Sequence, residues 1–223
     1  MKIIYTVNLG NYDRPIPINP DFLGDWTPVY LSDQKGLEVQ GWTTKFLKPH
    51  KSLPPVAISR DPKLRPHKYF PKALETLYID ATREVAQPLQ NFETSLLGPL
   101  QAPVEWCSKH HTKRDCIYQE LEAPRVKRLV PDATRQFLRT FYKSENFPEH
   151  YGLPENPIIY RKNTYKVQLV GELWWAMMHL QAAWRDQIFL PYVMWKLGLK
   201  PSLVQDAELA QFVRKRHKHL PRA

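Results

Sequence analysis

The order of the apolar segments restricts what this chain can fold into more than any other feature. Lys2–Val7, Thr27–Leu31 and Thr76–Ile79 are short runs rich in β-branched and aromatic residues, the pattern of buried strands. The second half instead carries apolar stripes at helical spacing. Val170, Leu173, Trp174, Met177 and Met178 recur at i, i+3, i+4, i+7 and i+8, so one face of that helix packs inward, and Trp174 and Trp175 read as core. Asp132 is expected to cap a helix bearing Phe137, Leu138, Phe141 and Tyr142. A further helix carries Ile188, Phe189, Tyr192 and Val193, with Pro191 tolerable only in its first turn, and a last helix is expected from Ser202 to about His217. Ten of the 21 prolines fall between residues 15 and 71, which predicts extended connections in the first third. Strands first and helices later, with no linker between them, predict one α/β unit.

The apolar stretch Leu169 to Trp184 is interrupted by Glu172, His179 and Gln181, so it lacks the roughly 20 apolar residues that span a bilayer. Met1 to Asn8 has too few apolar residues for a secretory signal, and Cys107 and Cys116 make neither a disulfide framework nor a zinc spacing. A cytoplasmic protein without a membrane contact is expected. A formal net charge of +10 points to a polyanionic partner, because surplus Lys and Arg concentrate such molecules at the surface. The charge sits in knots: Lys45, Lys48 and Lys51; Lys109 to Arg114; Arg125, Lys127 and Arg128; and Arg214 to Lys218.

The best single candidate for chemistry is Asp80. It ends the buried run Leu77-Tyr-Ile, and in open α/β sheets ligands sit beyond the carboxyl ends of the strands. A carboxylate followed two residues on by the oxygen of Thr82 either holds a divalent cation, Mn²⁺ or Mg²⁺, against a diphosphate or merely caps the next turn.

Seven blocks together carry a family resemblance: Ile4-Tyr-Thr-Val-Asn-Leu-Gly-Asn-Tyr-Asp13, Tyr30-Leu-Ser-Asp33, Arg65-Pro-His-Lys-Tyr-Phe-Pro71, Leu77-Tyr-Ile-Asp-Ala81, His111-Thr-Lys-Arg-Asp-Cys-Ile-Tyr118, Gly152-Leu-Pro-Glu-Asn156, and Glu172-Leu-Trp-Trp175 leading to Arg185-Asp-Gln187. The chain resembles the glycosyltransferase-like domain of plant mucilage-related and turgor-defect proteins and their bacterial and phage relatives. The resemblance implies a single Rossmann-like sheet of GT-A type flanked by helices, a UDP-sugar as donor substrate and a divalent metal. It divides the one domain, 1–223, into a nucleotide-sugar-binding part, 1–100, and an acceptor-side part, 101–223.

By the same resemblance Tyr5, Thr6 and Asn8 would line the base and ribose, and Asp33 would accept a hydrogen bond from a pyrimidine. Arg65 and Lys68 either clamp the diphosphate or are surface cations. Asp186, at a helix start, would serve as general base or simply cap the helix, with Glu172 as its competitor. His111, Arg114, Tyr118, Arg185 and Gln187 would face the acceptor, and His217 and His219 either complete the metal set with Asp80 and Thr82 or belong to a frayed tail. Resemblance and charge combined lead to a hexosyl- or pentosyltransferase acting on a hydroxymethylated pyrimidine in DNA, with Phe70, Trp106 and Tyr118 as aromatics able to support a flipped base. The alternatives are a transferase acting on a glycan or lipid-linked sugar, and a nucleic-acid-binding protein without activity.

Overall fold

Lys2–Asn8 (β1) is the strand about which the sheet is ordered, and it hydrogen-bonds in parallel to Trp26–Ser32 (β2) on one side and to Glu75–Ile79 (β4) on the other. A computed structural model describes residues 1–50, 52–99 and 104–217 of the chain. Thr43–Phe46 (β3) extends the sheet beyond β2, while Pro154–Lys162 (β7), Trp106–His110 (β6) and Ser202–Val204 (β8) extend it beyond β4. The order is β3-β2-β1-β4-β7-β6-β8, with β7 alone antiparallel to its neighbours, so strands from both halves share one mixed α/β sheet. This agrees with the expected GT-A-like Rossmann architecture. Arg83–Val85 (β5) and Val213–Lys215 (β9) form a separate antiparallel ribbon.

Alternation along β1 builds two cores. Ile3, Tyr5 and Val7 face a helical layer that includes Trp174, Met178 and Tyr142, and Ile4 faces the opposite cluster with Leu77, Phe92, Tyr160 and Phe212. Both faces of the sheet are therefore covered, which explains why its parallel strands read as apolar runs. Trp174 is fully buried and donates its indole N–H to the Asp186 carbonyl at 3.0 Å. Among the described residues, no helix is long and apolar enough to cross a membrane.

Several expectations need correction. The span from Ser202 to His217 is no single helix: β8 pairs with β6, Gln205 and Glu208 form a capping box for the Asp206–Phe212 helix, and β-branched Val213 starts β9. The helix Asp132–Ser144 exists, but Asp132 is not its cap; Pro131 precedes it and the Asp132 carboxylate pairs with Arg135 instead. The proline-rich first third contains the Pro55–Leu64 helix, because proline at the first helical position lacks only an N–H that would be unpaired anyway.

That helix ends in the core. Pro62 O accepts from Tyr5 Oη at 2.9 Å, Leu64 O accepts from Arg161 Nη1 at 3.4 Å, and Arg161 Nη2 donates to Tyr5 Oη at 2.7 Å. Carbonyls orphaned at a helix end are satisfied by a buried cation, which also suits the negative pole of the helix. The Tyr165–Leu180 helix crosses here at Gly171, where an added Cβ would lie 2.4 Å from Leu64 O. Helix propensity alone would make Gly171→Ala stabilising by about 1 kcal/mol. The contact predicts the reverse, a loss of about 1–3 kcal/mol in urea unfolding, since backbone cannot yield as a side-chain tip would. A variant more stable than the parent would refute the close approach.

Candidate active site

Two adjoining chambers open at the carboxyl ends of β1 and β4. The larger, about 520 Å³, is bounded by residues 7–10 after β1, by Tyr12 and Asp13, and by the Pro55–Leu64 helix. The smaller, about 210 Å³, is bounded by the starts of β5 and β7 and by residues 185–187. Arg60, Asp80 and Arg125 line both.

Asp80 thus stands where the two spaces meet. Its carboxylate accepts from Tyr78 Oη at 2.6 Å, and its backbone N–H donates to Pro157 O at 2.8 Å, which fixes its direction. Lys63, one helical turn after Arg60, sends its ammonium between two acids, 3.1 Å from Asp186 Oδ2 and 3.6 Å from Asp80 Oδ1, and 4.9 Å from the centre of the Tyr78 ring. Burial alone would raise the Asp186 carboxyl, but Lys63, Arg60 and Arg185 outweigh it and hold the group well below the usual carboxylate range. Burial would likewise lower the Arg60 guanidinium, yet Asp186, Tyr78 and Asp80 raise it.

On the far side, Glu120 is completely buried and binds two guanidiniums, Arg114 at 2.7 Å and Arg185 at 2.9 Å. It thereby sets Arg185 at the wall of the smaller chamber. His111 stands beside this clasp with Nδ1 accepting the Lys113 and Arg114 N–H groups, each at 3.1 Å, and burial lowers its pKa, so it is a neutral positioning group. Asn156 enters the same chamber from an irregularity in β7: Ser108 pairs with Ile159 but Lys109 with Glu155, so residues 156–158 have no counterpart on β6. It is 3% exposed, and both its amide oxygen and nitrogen lack a hydrogen-bond partner.

Of the residues singled out in the sequence, Asn8, Asp80, Thr82, Arg185, Asp186 and Gln187 line a chamber, with Gln187 Nε2 3.5 Å from Pro154 O. Asn8 also braces the loop after β1, donating to Asp13 O at 2.6 Å and accepting from the Asp13 N–H at 3.1 Å. The others are placed elsewhere. Tyr5 is in the core, as described, because its position in β1 alternates toward the helices. Thr6 is buried and lines neither chamber, and Asp33 binds the Gly10 N–H with both oxygens, at 2.9 and 3.0 Å, rather than facing the larger space. The turn it braces needs Gly10, whose φ is +65°.

Arg65, His67 and Lys68 surround Glu172 at 3.3, 2.8 and 3.0 Å, and Arg65 lies over the Trp175 ring at 4.3 Å. This ion cluster lines neither chamber, so Glu172, Arg65 and Lys68 stand apart from the spaces that Arg60 and Lys63 line. Tyr118 donates to Phe147 O at 2.8 Å inside an aromatic cluster, and Trp106 and Phe70 are buried, so these rings are core rather than base-stacking surfaces. His111 and Arg114 reach the chamber only through Glu120.

The metal set does not assemble among the described residues. Asp80 and Thr82 share the smaller chamber, His217 Nε2 lies 3.3 Å from Arg14 O and lines neither space, and His219 lies outside the described residues. No three His, Cys, Asp or Glu side chains among those described converge to hold an ion, and Asp80 Oδ1 lies 3.6 Å from the Lys63 ammonium in a chamber that Arg60 and Arg125 also line. Three carboxylates line the smaller chamber, but each is already paired with a cation: Asp80 and Asp186 share the Lys63 ammonium, and Glu155 binds Lys109.

The basic knots are partly paired within the molecule: Lys109 with Glu155 and Asp206, Arg114 with Glu120, Lys127 with Glu122, and Arg214 and Arg216 with Glu84.

Because the native Asp186 pKa lies below the ordinary 3.8, its contribution to stability is complete above that value and is lost as pH falls toward the native one. Asp186→Asn, which leaves Lys63 with Asp80 alone, is expected to cost about 3 kcal/mol in urea unfolding at pH 7 and distinctly less at pH 3. An equal loss at both pH values would show that the pair is not what the carboxylate supplies.

The model of the TOD1/MUCI70 glycosyltransferase-like domain matches residues 48–219. The chain is also similar to a probable hexosyltransferase, MUCI70, of Arabidopsis thaliana: 29% identical over 169 residues, which is 70% of this chain and 28% of the plant protein. It therefore spans well under half of that relative's length. With the family model covering most of the chain, the protein belongs to the TOD1/MUCI70 glycosyltransferase-like domain family.

Proposed function

We propose that the protein transfers a hexosyl or pentosyl group from a nucleoside-diphosphate sugar, with UDP the nucleotide to test first, to a hydroxyl presented in the smaller chamber. The observation that carries this reading is the junction of two chambers at Asp80, beyond the carboxyl ends of parallel strands. A cleft of about 520 Å³ is within the roughly 300–1,000 Å³ common for small-molecule sites and suits the nucleoside. The sugar would then point past Asp80 toward Asp186, Gln187 and Asn156.

In the reaction the bond from the sugar's anomeric carbon to the diphosphate oxygen breaks and leaves its electron pair on that oxygen. A new bond forms from the acceptor oxygen to the same carbon. Asp186 accepts the hydrogen bond of the attacking hydroxyl, and the proton passes through it to water. Its depressed pKa keeps it ionised as a hydrogen-bond acceptor but makes it a weak base, so the proton leaves the hydroxyl late, as the new bond to the anomeric carbon forms.

For the acceptor we propose a hydroxymethylated pyrimidine in DNA. The support is the net charge of +10 and its clustering in basic knots along the chain. A glycan or lipid-linked acceptor is the competing outcome, and it is favoured if duplex DNA is not retarded in a gel at low salt. Release of UDP from a panel of UDP-sugars, with and without DNA containing 5-hydroxymethylcytosine, tests the activity. Asp80→Asn is expected to lower turnover about 100-fold or more with an unchanged circular dichroism spectrum, the size typical of removing one preorganised electrostatic group. Full activity in that variant, or no UDP release from any sugar by the parent, would defeat the reading.

A further inference from the structure

The β5–β9 ribbon treats its two faces in opposite ways. On one face Glu84 lies opposite Arg214 and binds it at 2.5 Å, with Arg216 adding a second contact at 3.5 Å. On the other face Val85 and Val213 are buried as a pair, and the next pair is Arg83 opposite Lys215. Like charges set directly across an antiparallel pair destabilise it unless something negative lies between them. Both residues line the smaller chamber, and among the described residues neither side chain has a hydrogen bond or an ion pair.

The same chamber holds further unmet demand. Arg125 lines it without a side-chain partner among the described residues, the Arg60 Nε is buried and unpartnered, and Asn156 presents an amide with neither atom bonded. Buried polar atoms lacking partners are uncommon in folded proteins, and here they cluster with unpaired cations around one small space. An anion with several acceptor oxygens would satisfy the cations, the Arg60 Nε–H and the Asn156 Nδ2–H groups at once, leaving only the Asn156 Oδ1, itself an acceptor, to a hydroxyl or other donor.

We infer that Arg60, Arg83, Arg125 and Lys215, with the Asn156 amide, form a diphosphate site in which side-chain cations neutralise the leaving group in place of a divalent metal. The inference rests on the nucleotide-sugar reading above and specifies how that site binds its donor substrate. It fits a chamber whose three carboxylates are outnumbered by its Arg and Lys side chains, which leaves a divalent ion little negative charge to balance.

Titration calorimetry on the full chain separates the possibilities, using UDP and uridine as probes in EDTA and again with Mn²⁺. UDP should bind in EDTA with an affinity within about threefold of that in Mn²⁺, and at least about tenfold more tightly than uridine, a factor of ten being about 1.4 kcal/mol. Arg83→Gln combined with Lys215→Gln should weaken UDP about tenfold and leave uridine unchanged. The ligand-free double variant should melt at the same temperature as the parent or up to about 2 °C higher, because the like-charge pair is gone; a residue needed only for folding would shift melting the other way. UDP binding that appears only with Mn²⁺ overturns the inference and leaves the nucleotide reading standing. So does metal-free UDP binding that the double variant retains in full. Failure of both UDP and uridine to bind under either condition overturns the nucleotide reading and this inference with it.

Discussion

A buried ammonium, that of Lys63, joins three parts of the chain that are far apart in sequence. The Pro55–Leu64 helix supplies the cation, β4 supplies Asp80 at its end, and the segment before the Leu190–Lys196 helix supplies Asp186. A lone charge so buried would be very costly, and so would either acid without its partner, so the three elements hold one another in register. The chamber wall is a consequence of that arrangement. Behind it, Arg161 and Tyr5 bind the last carbonyls of the same helix, and Gly171 lets a second helix approach it closely. The Glu120 clasp repeats the logic at the far wall of the smaller chamber, using one buried carboxylate to aim Arg185.

This electrostatic frame explains the division of labour between the two chambers. The larger is bounded by the end of β1 and the loop after it and by the Pro55–Leu64 helix, with Tyr78 in its lining, which suits the nucleoside of the proposed donor. The smaller is polar and carries more basic than acidic side chains, which suits phosphate and hydroxyl groups. Asp80 lies at the boundary, so a change there alters the wall of both chambers at once.

Legibility in the sequence followed the range of the interactions concerned. Buried strands with β-branched runs and helices with apolar stripes declare themselves locally, and the first two strands and β4 were each found to within a residue or two. β6 and β7 were not anticipated, although Ile158-Ile159-Tyr160 is a strand-like run, because helical stripes dominated the second half. Arg60 and Lys63 carried a visible signal, two cations three residues apart after a Pro-Pro helix start, yet the neighbouring Arg65 and Lys68 fitted the same description. Spacing does not reveal which turn of a helix faces a cleft when the helix end is set by a tertiary contact. Glu120 and Asn156 gave no local sign at all, since burial and an unmet hydrogen bond belong to the folded environment.

By itself the sequence determined the α/β class, the family, the acid at the end of β4 and the segment Arg185-Asp186-Gln187 as a wall of the site, because these depend on local pattern and chain order. Only the tertiary structure decided which cations meet the acids, which rings are core, and that Glu172 is held by Arg65, His67 and Lys68. The reason is electrostatic: a charged side chain takes its role from whatever partner lies within a few ångströms, and that partner is usually remote in sequence.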